Sequence, residues 1–384
     1  LRRDGSSVFG EDVRWATFPS IAVGWTFSDE KFMKPFYWLS FGKIRASWGV
    51  SGQKFSQRYL SQGLLSANGT TFHGDIAMFP DIRGGVINKK LSWEETNQYD
   101  LGFDLSFLDY RLRLVIDYYY RYTKGQLNQI SLPGDIYYHQ FQWQNGMAIS
   151  NQGLELELEA DILRHTAVKW KMKFNASRNW NRFEKSADGF DFMEQVIGKP
   201  LHQIKVFKTD GFYNSLDEVP VYYLANKEVQ PLYSGITAGI YLPGSRRLVD
   251  LNGDGRITED ADVYFAESPL PLAHGGFINQ LRWKNFDLNI FFNYSLGRHI
   301  VKVYDDVSMT ANGSAKPLFV DVNDVKIWTE AGSKADYPKS QVYAYLMNQT
   351  SGRYDCDIES VSFLRLKQLT LGYNVGERVL NKLK

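Results

Sequence analysis

The densest run of oxygen-bearing side chains is DLNGDGRITEDAD, residues 250–262. Its spacing is that of a divalent-cation loop, which needs oxygen ligands at positions one, three, five, seven, nine and twelve and a glycine at six for the sharp turn. Counted from Asp250, it supplies Asp250, Asn252 and Asp254, then Gly255, the Arg256 carbonyl and Thr258. The twelfth place, where a bidentate carboxylate belongs, is Ala261, flanked by Asp260 and Asp262. The flanks also depart from an EF-hand, which requires a helix on each side: a Pro/Gly/Arg segment precedes the loop and Val263 leads towards a strand. Two readings stay open. Either Asp250, Asn252, Asp254, the Arg256 carbonyl, Thr258 and Asp260 or Asp262 hold Ca2+ or Mg2+ weakly, or Asp and Asn side chains shape a metal-free turn. No other cofactor is required.

Two further sets could act on a solute. Glu155, Glu157 and Glu159 alternate with leucines, and Lys169, Lys171 and Lys173 alternate with Trp170, Met172 and Phe174. A hairpin turning about Arg164 would set Glu155 against Lys173, Glu157 against Lys171 and Glu159 against Lys169. These ladders would either tune the charge of a passage or neutralise each other. The segment DIYYHQFQWQNG offers Tyr137, Tyr138, Phe141 and Trp143 as loop aromatics for stacking on a sugar ring or a peptide, or for packing loop on loop.

Other chemistry finds no footing. The six histidines show no paired metal spacing, and no G-x-S-x-G, H-E-x-x-H or phosphate-loop motif occurs, so the chain is not expected to be an enzyme. Glycosidase carboxylates pair in space and leave no motif. The single cysteine, Cys356, excludes an internal disulfide and a multi-cysteine zinc site. With 44 basic and 43 acidic residues interspersed, there is no electrostatic footprint for nucleic acid.

The elements that must position these residues are strands. Leu101, Phe103, Leu105 and Phe107 alternate with polar residues; after a turn near Asp109 the same period runs from Leu112 through Ile116 to Tyr122. Similar pairs are Ile21 to Phe27 with Ile44 to Val50, and Leu281 and Trp283 with Leu288 to Leu296 across a tight turn at Asn285. A ninth strand over residues 363–375 slips phase at Lys367 and Gln368, where a β-bulge restores the alternation. Short turns near Asp109, Arg164 and Asn285 interleave with long polar connections over residues 54–96, 124–147, 181–274 and 298–360. No apolar run reaches the ~18 residues of a membrane helix, but a β-barrel crosses with alternate residues. Aromatics are 15% of the chain, and the strands run to about ten residues with full charges on one face and aromatics at their ends. A soluble sandwich also alternates, with strands of ~5 to 6 residues. The pattern favours an all-β, transmembrane antiparallel barrel. Nine strands do not complete one, and the chain starts at Leu1 without Met, so a partial barrel lacking strands at both ends is expected over residues 1–384.

Six stretches, in order, resemble the C-terminal barrel portion of SusC/RagA-family TonB-dependent outer-membrane transporters of Bacteroidetes. They are residues 2–33, KIRASWGVSGQ at 43–53, residues 91–127, ISNQGLELELEADIL at 149–163, DLNGDGRIT at 250–258 with SPLPLAHGGF after it, and FLRLKQLTLGYNV at 363–375. The resemblance implies a barrel of ~22 strands in the bacterial outer membrane, in contact with lipid and lipopolysaccharide, and an N-terminal plug absent from this chain. It implies energisation by the TonB complex through that absent region and import of a glycan or peptide with a SusD-like surface lipoprotein. An oligosaccharide importer is the expectation; a peptide importer, or a non-membrane β-rich glycan-binding protein or hydrolase, is the alternative.

Overall fold

The computed structural model describes residues 1–55, 61, 65–80, 85–132, 141–191, 195–223, 229–234, 239–301, 326–336 and 354–375. The chain divides into two compact units: Leu1–Leu201 with Pro271–Leu296 and Ser362–Lys384, and His202–Leu270 with Gly297–Val361.

The first unit is built on one nine-stranded sheet. Its strands are β1 (Ser20–Trp25), β2 (Leu39–Gln53), β3 (Glu94–Phe107), β4 (Leu112–Ser131), β5 (Phe141–Leu163), β6 (Val168–Lys185), β7 (Ala273–Trp283), β8 (Phe286–Leu296) and β9 (Phe363–Tyr373). Each pairs antiparallel with the next in this order, so the wall is a meander. The phase slip expected in β9 is a bulge: Phe291 faces Gln368 while Phe292 faces Leu366, leaving Lys367 extra.

Period two sorts the side chains into two faces. Along β4 the outward set is Leu112, Leu114, Ile116, Tyr118, Tyr120 and Tyr122, with Leu158, Leu156 and Leu154 of β5 opposite the second to fourth of them. Ten rises of roughly 3.4 Å at a tilt of about 45° give ~24 Å along the membrane normal, the height of a barrel's apolar band. Aromatics border that band. At the short-turn rim Trp38 stacks on Phe107 with centroids 5.8 Å apart, and Phe286 meets Tyr373 at 4.8 Å. At the other rim Tyr99 meets Tyr120 at 6.4 Å, and within the band Phe174 stacks on Tyr294 at 5.9 Å. Leu364 and Leu371 stay 70% exposed on this face. An apolar face without protein cover, on strands of 18 to 23 residues such as β4, β5 and β6, is not that of a soluble sandwich.

The structure moves three expectations. The β5–β6 turn occupies residues 164–167, two positions later than a turn centred on Arg164, so Glu159 faces Lys173, Glu157 faces Asn175 and Glu155 faces Ser177. Lys171 faces Asp161, and across β7 Lys169 faces Arg282. A slip by an even number of residues keeps each side chain on its expected face and changes only its partner. The second change is in residues 124–147, which are mostly strand: β4 runs on to Ser131 and β5 begins at Phe141. Their outward side chains turn polar there, which erases the alternation while the backbone ladder continues. Third, Phe141 and Trp143 therefore sit in a strand rather than a loop. Trp143 and Leu127 pack against Phe9, Phe55 and Leu91, the buried cluster of this unit. Gly125, at φ +71°, marks the kink where β4 leaves the regular band.

Leu156 and Glu157 occupy the same height on opposite faces, between Ile116 and Ala176 and between Val115 and Asn175. In the full-length parent, Leu156→Arg is expected to cost about 2–4 kcal/mol and to lower the yield of heat-modifiable, folded barrel on gels, whereas Glu157→Arg leaves the yield near wild type. Equal losses at both positions would refute this facing.

Candidate functional site

The polar face of the wall carries a chain of paired charges. Arg45 of β2 grips Asp104 of β3 with two hydrogen bonds, Nε to Oδ2 at 2.8 Å and Nη2 to Oδ1 at 2.9 Å, and Nη2 also reaches Asp117 Oδ1 at 2.9 Å. The bidentate fork fixes geometry as well as charge. Gly102 lies beneath them; a Cβ there would stand 2.4 Å from Asp117 Oδ1 and 2.7 Å from the guanidinium carbon. In the next rows Ser47 and Gln98 donate to Asp100 at 3.0 Å, and Tyr119 donates its hydroxyl to Asn179 at 2.9 Å with its ring over Gly153.

Of the expected ladders, one glutamate is doubly paired. Glu159 accepts from Lys171 and, at 2.8 Å, from Lys173. Glu155 and Glu157 have no ion-pair partner among the described residues, nor does Lys169. Tyr137 and Tyr138 lie outside the described residues.

The connections between β6 and β7 and between β8 and β9 fold together as the second unit. Phe207, Tyr213, Val219, Leu232, Tyr241, Leu248 and Ile257 form its core, all from the first of these connections. Burial pushes the Tyr213 hydroxyl up to about 12. The second connection docks by polar contacts. Buried Arg246 donates from Nη1 to Cys356 Sγ at 2.8 Å and from Nη2 to the Asp336 carbonyl at 3.0 Å, with Asp357 at 3.7 Å. Its guanidinium also stands 5.5 Å from the Phe212 ring and 5.3 Å from the Tyr354 ring. Burial raises the Cys356 thiol above its ordinary value, against the lowering effect of Arg246. Asp355 accepts from the Thr209 N–H at 3.0 Å and from its hydroxyl at 2.5 Å. Sequence periodicity carried no sign of this knot, because its members sit singly in two irregular segments.

Within this unit the Asp250 loop lies between short strands Arg246–Leu248 and Val263–Phe265, not helices. Its acids bond its own backbone. Asp250 accepts from the N–H of Gly253 at 2.7 Å and of Gly255 at 2.8 Å; Asp254 accepts from Arg256 at 2.8 Å. Asp262, fully buried, accepts from Leu251 at 2.9 Å and Thr258 at 2.7 Å. Asn252 bonds Asp254 at 2.9 Å, and Thr258 Oγ1 caps the N–H of Ala261 at 3.3 Å. Gly255, at φ +81°, lies against the Tyr222 ring, which a Cβ would approach to 2.6 Å. Tyr222, pushed up to about 12 by burial and by its bond to Asp250, completes the loop. Both oxygens of Asp250 and of Asp262 are engaged, Ala261 offers no side-chain oxygen, and no metal-type acidic or His/Cys cluster occurs among the described residues. This donor set fits a divalent ion poorly and fits an Asx-type turn well.

Arg246→Ala leaves the Asp336 carbonyl and Cys356 Sγ without their buried donor, so it is expected to loosen the loop unit by about 1–3 kcal/mol. Hydrogen exchange should show lost protection at Phe207 and Tyr354, with the wall strands unchanged. A second expectation concerns pH. Burial raises the Asp250 carboxyl, but hydrogen bonds from Gly255, Tyr222 and Gly253 outweigh it and hold it below its ordinary value. Its contribution is therefore complete above an ordinary value of about 4 and fades as pH falls through the lower folded value. Cleavage within residues 248–263, relative to a reference site, should stay flat from about pH 8 to about pH 5 and rise only in stronger acid. Protection by millimolar calcium over chelator in the same digestion would show that the loop binds metal after all.

The sequence profile of the family described as "TonB dependent receptor-like, beta-barrel" matches residues 1–314. TonB-dependent receptor P3 of Formosa agariphila is 32% identical over 388 residues, covering 99% of this chain and 37% of that protein. TonB-dependent receptor SusC of Bacteroides thetaiotaomicron is 29% identical over 382 residues, covering 97% of this chain and 36% of that one. A solved structure described as the RagAB peptide transporter superposes with a TM-score of 0.71 at 22% identity over 97% of this chain and 38% of its own, a likeness of fold. This chain thus spans little more than a third of the length of these relatives. An uncovered apolar band, a polar face of paired charges and a profile match over most of the chain agree: it is an outer-membrane barrel segment and belongs to the β-barrel family of TonB-dependent receptors.

Proposed function

We propose that this chain is the wall and part of the surface loops of a SusC/RagA-type, TonB-dependent importer of nutrients, with an oligosaccharide as cargo. The observation that carries it is the pairing of a lipid-height apolar band with a polar face whose charges are fixed in networks such as Arg45, Asp104 and Asp117. Such a wall lines a hydrated passage. The remaining strands, the plug that engages the TonB complex, and a SusD-like lipoprotein that captures cargo with the loops complete the machine in this reading. The oligosaccharide reading rests on the resemblance of the sequence to SusC/RagA-family importers. The RagAB neighbour keeps a peptide as the second reading, since its description names a peptide transporter.

Uptake by cells expressing the full-length parent decides between them. Labelled oligosaccharide is expected to accumulate, to stop when the proton gradient is collapsed, and to fall severalfold when the lipoprotein gene is removed. Accumulation of labelled oligopeptides instead would select the peptide reading, and gradient-independent uptake of either would refute TonB coupling.

A further inference from the structure

The outward face of the wall changes character towards its long-loop rim. Along β6 the outward side chains run Trp170, Met172, Phe174 and Ala176, all apolar, and then Arg178, Trp180 and Arg182. Their register is fixed. Arg178 faces Leu154, which faces Tyr118; Trp180 faces Gln152, which faces Tyr120; Arg182 faces Ser150, which faces Tyr122. Both arginines therefore share the lipid-side face with those leucines and tyrosines and stand away from the polar one. A cation on that side is costly at mid-membrane and tolerated only near an interface. Arg178 is the first charge beyond the apolar run, and its guanidinium lies 4.7 Å from the Trp180 ring centroid. The Tyr118 hydroxyl donates to Gln152 Oε1 at 2.9 Å, which leaves the Gln152 amide N–H groups without an acceptor among the described residues.

The patch offers donors and lacks acceptors. The outward carboxylates beside it are already engaged: Glu95 pairs with Lys124 at 2.9 Å, and Glu184 accepts from the Ser150 hydroxyl at 2.5 Å. Neither Arg178 nor Arg182 has an ion-pair partner among the described residues. The two start roughly 14 Å apart along β6, four rises of the strand, with Trp180 and Gln152 between them. That spacing suits an extended headgroup better than a single ion. Long loops mark the outer surface of such a barrel, so the lipid against this rim belongs to the outer leaflet. We infer that Arg178, Arg182, Gln152 and Trp180 form a binding site for the phosphorylated sugar headgroup of lipopolysaccharide. A phosphate accepts from the Arg178 fork and the Gln152 amide, Arg182 takes a second anionic group, and Trp180 lies at the junction of sugar and acyl chains. The site continues the apolar band on its own side of the sheet. It rests on the facing of the strands and is independent of cargo, plug and lipoprotein.

The test uses the full-length parent, delipidated in detergent and titrated with diphosphoryl lipid A, with the same lipid after removal of its phosphates, and with inorganic phosphate. Melting temperature and the heat-modifiable folded fraction are read on each sample. Diphosphoryl lipid A is expected to raise the melting temperature saturably, and the dephosphorylated lipid to leave it unchanged. Arg178→Gln should raise the half-saturating concentration about tenfold, one charge-assisted contact being lost. Lys169→Gln, on the opposite face of the same strand, should leave it at the wild-type value. If Arg178→Gln lowers the folded fraction, Arg182→Gln carries the same comparison. Equal half-saturation by the two lipids overturns the inference, as does a titration indifferent to both arginine substitutions. Protection by inorganic phosphate alone assigns the patch to a free ion and overturns it equally.

Discussion

The constraint on which the wall depends is that hydrocarbon offers no partner for a peptide N–H or C=O. Every backbone group across the lipid band must find its mate on a neighbouring strand, and the antiparallel meander from β1 to β9 supplies mates for all but the two edge strands. Nine strands with two open edges are a sector of a wall. The ladder also forces alternation, because consecutive side chains point to opposite sides of it. Lipid on one side and water on the other then select apolar and polar residues in turn.

Once the ladder is fixed, the polar face has little freedom. Side chains directly opposite stand about 5 Å apart, so each charge is judged by its cross-strand neighbours. Arg45 answers two aspartates only because Gly102 leaves the space between them empty, and Tyr119 can lie across the wall towards Asn179 only because Gly153 has no side chain. These glycines sit in regular strand. Their role is clearance for a neighbouring side chain, which explains why they do not interrupt the ladder as glycines in strands often do.

The same physics decides what was legible in the sequence. Where lipid and water face each other across the sheet, period two is strong, and the strands, their alternation and the Lys367 bulge could all be read. Register was less legible. Centring the β5–β6 register on Arg164 rather than two residues later misplaced every partner of Glu155, Glu157 and Glu159, since an even slip changes partners and keeps the alternation. Alternation reports facing, and turn length reports register. Beyond the band the signal vanishes although the ladder does not: β4 and β5 continue through residues that read as loop, and Trp143, open between ligand contact and packing, packs beside Phe9 and Leu91. In the Asp250 loop the residue types suit a cation and an Asx-turn alike, and the bonds they make to their own backbone depend on φ angles and on Asp262, which sequence spacing does not report.

The loop unit shows a different division of labour from the wall. Its apolar core is drawn from one connection, the one holding Phe207 to Ile257, so that segment can bury itself without the other. The second connection contributes Tyr354 at the margin and otherwise polar groups, the Gly332 N–H and the Asp336 carbonyl together with Asp355, Cys356 and Asp357, which act through hydrogen bonds and charge. Polar docking of this sort stabilises little by net energy but penalises any misplacement, because each unmet buried group carries its full desolvation cost. It works here because the two connections also meet at their stems. His299 pairs with Ser360 to close the second stem, and its N–H reaches the Ser268 carbonyl of the first connection at 3.2 Å. With the ends held, the loop-closure entropy left for the knot is small, since that cost grows only slowly with the length between fixed points. A buried arginine between two connections thus builds on stems that already meet: the stems supply proximity, and Arg246 converts proximity into one defined arrangement.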